Sequence, residues 1–112
     1  MIIQFKNKKL ERLFNSLELI ERTYGKRIAK KIAQRLYELD AAEVLNDISH
    51  LPPLRCHQLK GSRKGHFSVN VTQKLRIVFI PAHKPVPKKP DGGIDKKSIT
   101  AIKITSIEDY HG

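Results

Sequence analysis

Residues 66–80 read H-F-S-V-N-V-T-Q-K-L-R-I-V-F-I, and the fold turns on how this run is parsed. Phe67, Val69 and Val71 alternate with His66, Ser68, Asn70 and Thr72, the period of two expected of a strand with one buried face. After a tight turn at Gln73-Lys74, residues 75–80 are almost continuously apolar and predict a central strand. The stretch is therefore a β-hairpin, although its turn lacks the glycine that two-residue hairpin loops favour.

Working outward toward the N-terminus, Pro52-Pro53 closes a helical half, because proline removes an amide donor and bars its predecessor from helical geometry. Residues 2–5 (I-I-Q-F) suit a short opening strand. Leu10, Leu13, Phe14 and Leu17 follow the i, i+3, i+4, i+7 spacing of an amphipathic helix. Gly25 punctuates it. A longer helix is predicted over 26–45, with Ile28, Ile32, Leu36 and Leu39 as its apolar stripe. So short a link predicts an antiparallel pair. Lys26, Arg27, Lys30, Lys31 and Arg35 fall off the stripe and read as a solvated face that could add to an RNA footprint.

Toward the C-terminus, residues 81–98 hold four of the six prolines, Gly92-Gly93 and five lysines. They predict an extended, mobile excursion with neither helix nor strand. Alternation resumes over 99–107, with Ile102 and Ile104 on one face, and sets Asp109, Tyr110 and His111 at the lip of the sheet. The predicted architecture is α+β: two N-terminal antiparallel helices packed on a small, mainly antiparallel twisted sheet, one domain over 1–112 with an irregular insertion at about 81–98.

The 112 residues, 39% hydrophobic, suffice for one modest core. The single cysteine, Cys56, allows no internal disulfide and suits the reducing cytosol. The apolar start MII is too short for a signal-peptide core, and no run approaches membrane-spanning length, so a soluble cytoplasmic protein with no membrane partner is expected. The net charge of +11 is lopsided: residues 1–54 hold ten basic and seven acidic side chains, residues 55–112 twelve and four. Residues 55–76 carry six basic residues and no acidic one. Such a field favours polyanions, with nucleic acid ahead of anionic lipid.

The sheet half collects His57, Lys60, Arg63, Lys64 and Arg76, and ends on Asp109-Tyr110-His111. These residue types suit metal-free RNA cleavage, in which the 2′-hydroxyl attacks its own phosphate. That reaction requires a base, an acid and cations around the phosphorane. Imidazole suits both proton roles, and tyrosine offers a stacking face. A lone histidine is more often structural, and His50, His66 and His83 receive no role. Gly61 and Gly65 match no phosphate loop and read as turn residues. His57 and His111 lack the close-spaced partners of a zinc site, so no metal or other cofactor is expected. Cys56 adjoins His57, but neighbours on a strand point to opposite faces, which disfavours a nucleophile pair. Residues alone lead as far as a small basic α+β domain that acts on RNA.

The motifs R-C-H-Q-L-K-G-S-R-K-G-H-F-S-V-N-V at 55–71, K-L-R-I-V-F at 74–79 and terminal E-D-Y-H at 108–111 go further. Together they resemble the HigB branch of the RelE/ParE toxin superfamily, the plasmid-maintenance killer proteins. L-x-x-L-D-A-A at 36–42 agrees in style. The resemblance implies a RelE-like fold and a toxin of a type II toxin-antitoxin system: an mRNA endonuclease that cuts on the ribosome without metal. It implies acid-base work by His57 and His111, and a carboxylate at Asp109 that orients a histidine or takes the proton. Tyr110 would stack on or orient RNA, and Lys60 and Arg76 would hold the phosphate, flanked by Arg63 and Lys64. The implied partners are mRNA on the ribosome and a helix-turn-helix, HigA-like antitoxin, which alone would contact DNA. Phe67 stands where the family prefers tryptophan, Leu75 where an aromatic is common, and the 81–98 insertion is the large departure. A gyrase-poisoning ParE-like toxin and a non-catalytic basic RNA- or DNA-binding module are the competing readings; the terminal D-Y-H with His57 argues against the first, and the acidic Asp109 against the second.

Overall fold

The computed structural model of the chain describes residues 1–109. Among them run β1 (Ile2–Phe5), α1 (Lys8–Phe14), α2 (Leu17–Tyr24), α3 (Lys26–Ala41), β2 (His57–Gln58), β3 (Phe67–Asn70), β4 (Leu75–Pro81) and β5 (Ala101–Asp109). The strands form one sheet in the order β1-β5-β4-β3-β2. Its neighbours are antiparallel except β1 and β5, which run parallel. The expected α+β class and mainly antiparallel sheet are found, and the 66–80 hairpin is β3 and β4.

The first expected helix is in fact two. The Asn7 side chain accepts the Leu10 amide at 2.9 Å and starts α1; the Ser16 hydroxyl accepts the Leu19 amide at 3.2 Å and starts α2. Asn15-Ser16 therefore breaks the periodicity with a cap, and Leu17 is left 54% exposed. Gly25, at φ +84°, ends α2 and admits α3 at the next residue, a conformation that costs glycine little. α3 stops at Ala41 rather than 45. Leu45 instead opens a 3-10 turn, Leu45–Asp47, is buried, and donates its amide to the Ile99 carbonyl at 2.9 Å.

Phe14, Ile20, Ile32 and Leu39 from the helices meet Phe67, Val69, Ile77, Phe79, Ile102 and Ile104 from the sheet in one core. The Phe67 and Phe79 rings stack at 6.0 Å between centroids. One basic residue assigned to the solvated face belongs inside. Arg35 is only 8% exposed, and its Nε donates to the Asn70 carbonyl and its Nη1 to Glu38, each at 2.6 Å. It joins α3 to the end of β3, where a solvated residue would do nothing.

β5 departs from simple alternation. Val78 pairs with Ser106 and Phe79 with Ile104, so Thr105 is an extra residue, a β-bulge. Its hydroxyl donates to the Val78 carbonyl at 3.2 Å. The bulge resets the phase: Ile102, Ile104 and then Ile107 face the helices, while Ser106 and Glu108 turn to the other face.

The 81–98 insertion is ordered rather than a loose excursion. β4 includes Pro81, Lys88 bridges Ile94, and a 3-10 turn spans Lys96–Ser98. The Lys89 amide donates to the Gly93 carbonyl at 2.7 Å and the Asp95 amide to that of Pro87 at 2.9 Å, which folds the segment into a short hairpin. Val86 and Ile94 pack against the main core and anchor it.

Burial of Arg35 has a measurable consequence. Arg35→Met is expected to lower unfolding free energy by about 2 kcal/mol through loss of two charge-assisted bonds. Lys30→Met, on the exposed side of α3, should stay within about 0.5 kcal/mol of the parent. Urea denaturation of both checks this; equal midpoints would return Arg35 to the solvated face.

Candidate active site

The sheet face away from the helices gathers His57, His66, Arg63 and Arg76. His57 pairs across β2 and β3 with Ser68, Ser68 with Val78, and Val78 with Ser106, so these four share a face. Two residues along the ladder, Asn70, Arg76 and Glu108 share the same side. The Leu59 amide donates to the His66 carbonyl at 2.8 Å, extending the β2–β3 ladder by one pair and setting His66 on this face too. It stands diagonally from His57, about 7–8 Å away between backbones.

Glu108 is the hub. Its carboxylate accepts Arg63 Nη1 at 2.5 Å and Nη2 at 3.3 Å, Arg76 Nη2 at 2.9 Å and Nε at 3.2 Å, and the Ser106 hydroxyl at 2.9 Å. The hydrogen bond from Arg63, followed by those from Arg76 and Ser106, holds its pKa at about 2 against the opposing pull of burial. Arg63 lies in the connection between β2 and β3, whereas Glu108 lies on β5, two strands beyond β3. To meet, the connection must lean across the face. That accounts for the complete burial of Ser68 and Val78, which alternation alone would leave half exposed. The Ser68 hydroxyl makes no hydrogen bond among the described residues, an arrangement that costs free energy in the free protein.

The orientation of His57 is fixed by its own backbone. Its Nδ1 lies 2.8 Å from the Arg55 carbonyl. A carbonyl only accepts, so Nδ1 carries the proton and, in the neutral ring, Nε2 keeps its lone pair. Arg55 sits at φ +44°, a left-handed conformation that is costly for a residue with a Cβ, and its strain is located at the group that anchors the imidazole. His66 is oriented likewise, its Nδ1 3.2 Å from the Arg63 carbonyl. His83 is structural: its Nε2 accepts the Thr100 amide at 3.0 Å.

Of the residues selected from sequence, His57, Arg63 and Arg76 are brought to one face. Lys60 and Lys64 stand exposed at either end of the 3-10 turn Gly61–Arg63 in the leaning connection. Tyr110 and His111 lie outside the described residues. Asp109 is placed elsewhere: it pairs with Leu75, a core-facing residue, and borders a cleft with Tyr24, Arg27, Ile28 and Lys31 on the helix side. Burial, and then the Asp109 charge, raise the Tyr24 pKa. The cause is the Thr105 bulge, which exchanges the faces of residues 108 and 109. Sequence reasoning missed Glu108 and His66. Glu108 opens the terminal E-D-Y-H motif, but its role shows only from its place opposite Arg76 once the bulge is known. Cys56 is buried, and desolvation lifts its thiol to about 11 against a weaker opposing pull from Lys96, which leaves little nucleophilic thiolate. Among the described residues no three His, Cys, Asp or Glu side chains gather as a metal site, and no helix is long and apolar enough to cross a membrane.

Because the folded pKa of Glu108 lies below its unfolded value, the stability it confers is present above about pH 4.5 and drains away as pH falls toward 2. Glu108→Gln is expected to cost about 1–2 kcal/mol at pH 7, after allowance for solvent screening. The gap should narrow steadily below pH 4 in urea titrations. A gap independent of pH would mean that the carboxylate charge is not what holds the two arginines.

The HigB-like toxin family, described as the RelE-like toxin of the type II toxin-antitoxin system HigB, matches residues 3–85. That span includes His57, Lys60, Arg63, Lys64, His66 and Arg76. Toxin HigB-1 of Vibrio cholerae is 30% identical over 79 residues, which is 70% of this chain and 82% of that protein. Among solved structures, the YoeB/ParE toxin from Agrobacterium tumefaciens is similar with a TM-score of 0.55 at 12% identity, covering 99% of this chain and 100% of that one. The YoeB-YefM complex from Staphylococcus aureus gives a TM-score of 0.54 at 18% identity, covering 100% and 98%. The two structures share the fold, and the family is carried by the sequence match over three quarters of the chain: the protein belongs to the HigB-like family, the RelE-like toxins of type II toxin-antitoxin systems.

Proposed function

We propose that this toxin is a metal-independent mRNA endonuclease that acts in the cytoplasm on message held by the ribosome. The observation that carries the reading is His57: an imidazole whose Nδ1–H is pinned to a carbonyl, on the same sheet face as a two-arginine cluster. Nε2 of His57 takes the proton from a ribose 2′-hydroxyl as that oxygen attacks the adjacent phosphorus. Arg63 and Arg76, held by Glu108, and the exposed Lys60 and Lys64 stabilise the charge of the phosphorane. The 5′ oxygen leaves as a hydroxyl, and the other fragment ends in a 2′,3′-cyclic phosphate.

The departing oxygen requires an acid. His111, by family resemblance, and His66, by its place beside His57, are the two imidazoles proposed for it. Tyr110 is proposed to stack on or orient the RNA. Asp109 is proposed to act by positioning the end of β5 against the helices, because its partner on the ladder, Leu75, belongs to the helix-side core. The partner that restrains the toxin is proposed to be a small helix-turn-helix, HigA-like antitoxin.

The test is induction of the toxin followed by analysis of cellular message and DNA, with purified protein assayed on message with and without translating ribosomes. Shortened message ending in cyclic phosphate is expected; intact message with accumulating DNA breaks would instead mark a gyrase poison. His57→Ala should reduce cleavage about 10²–10⁴-fold at an unchanged melting temperature. Asp109→Asn should cost much less, and a loss as large as that of His57→Ala would return this carboxylate to proton transfer. Comparing His66→Ala with His111→Ala identifies the acid, the variant with the larger loss marking it.

A further inference from the structure

The insertion at 81–98 carries a charge pattern that the active site does not use. Its five lysines, Lys84, Lys88, Lys89, Lys96 and Lys97, are all exposed. Its two carboxylates are committed locally. Asp91 accepts the Gly93 amide at 2.8 Å and lies 3.9 Å from Lys89. Asp95 accepts the Lys97 amide at 3.2 Å and the Ser98 hydroxyl at 2.8 Å, capping the 3-10 turn. Each acid thus organises the backbone that displays the lysines.

The lysines are also pre-arranged. The Lys88–Ile94 bridge, the turn closed by Gly92 N–H to the Lys89 carbonyl at 2.9 Å, and the packing of Val86 and Ile94 on the core hold the hairpin in one shape. A flexible lysine tail would lose more conformational freedom on binding. Position matters too. Phe67 pairs with Phe79, so His66 is level with Ile80 and the leaning connection that carries Lys60 and Lys64 emerges at the end of the sheet where the insertion begins. The connection thus leaves the sheet at the end where the hairpin begins, before leaning back to bring Arg63 to Glu108 at the other end of β5. The family match stops at residue 85, so the hairpin tip lies outside what the family defines.

We infer that the 86–98 hairpin is a phosphate-gripping finger, an RNA-docking surface that binds the nucleic-acid backbone away from the Arg76–Glu108 cluster and without reading sequence. Point-charge lysines on an ordered turn suit a row of phosphates, where no bidentate geometry is needed. This rests on an RNA-directed toxin but not on cleavage, and the two can fail separately.

The experiment uses the full chain and the variant Lys88→Ser/Lys96→Ser/Lys97→Ser, which touches no residue assigned to the active site. Binding is measured against salt on two probes that cannot be cut by 2′-hydroxyl attack or need not be: a fully 2′-O-methylated single strand and vacant small ribosomal subunits. Removal of three phosphate contacts should make the slope of log K against log salt less steep by about 2 and weaken binding at low salt tenfold or more. A change on the oligonucleotide assigns the finger to message, and a change on the subunits alone assigns it to ribosomal RNA. Unchanged slopes on both probes, with the parent melting temperature retained, would overturn the inference. So would a variant that binds RNA normally but loses its antitoxin, since the finger would then be a protein contact. A parent that binds both probes yet cuts no message would leave the finger standing while the endonuclease reading falls.

Discussion

One extra residue in the last strand decides which side chains meet. With Thr105 in register, Ser106 and Glu108 would follow Ile102 and Ile104 into the apolar core, and a carboxylate there would stand among Ile77, Phe79 and the helices. Burying an unpaired charge in such surroundings costs several kcal/mol. The bulge removes the conflict by turning residue 108 to the other face, opposite Arg76. It also lets Ile107 complete the core. One backbone irregularity thus satisfies an apolar and an ionic requirement, and the ionic one assembles the site.

From that placement the rest of the face follows. Glu108 draws Arg76 from the neighbouring strand and Arg63 from the connection beyond β3, so the carboxylate closes a span of three strands. The connection leans over the sheet as a result, Ser68 and Val78 are covered, and His57 and His66 border the covered region rather than an open plain. Stability and chemistry are coupled here. The interaction that fixes the tertiary position of the basic turn also sets the spacing of the guanidiniums.

Much of the fold was legible because its signals are local and periodic. The alternation in 67–71, the apolar run in 75–80, the strand before the C-terminus and the Pro52-Pro53 stop needed only the neighbouring residues to be read. The failures share a cause: each depends on a partner distant in sequence or on a single residue that overrides a period. Ser16 breaks a helix whose apolar spacing runs on unbroken. Arg35 looks like a surface cation until its bond to the Asn70 carbonyl, across 35 residues, is known. The insertion looked unstructured from its prolines and glycines, whereas its order comes from Val86 and Ile94 reaching the core. Thr105 carries no mark of a bulge, being a β-branched residue suited to a regular strand. The shift in its phase moved the carboxylate of interest from residue 109 to residue 108. His57, Arg63 and Arg76 could be selected from motif and composition, but which of them share a face could not.

Two kinds of positive charge coexist in this small protein, and their wiring differs. Arg63 and Arg76 are planar donors tied to an internal anion, so their positions are set before any substrate arrives and little is lost in ordering them. Apart from Lys89, which lies 3.9 Å from Asp91, the hairpin lysines are displayed by turns that the acids organise, so their charge is held in place by shape. The first arrangement suits a reaction in which charge develops at one phosphorus. The second suits attraction spread along a polymer, strong in aggregate and screened by salt. Pre-set guanidiniums and a displayed row of lysines thus meet different physical requirements, and the fold keeps them on separate elements.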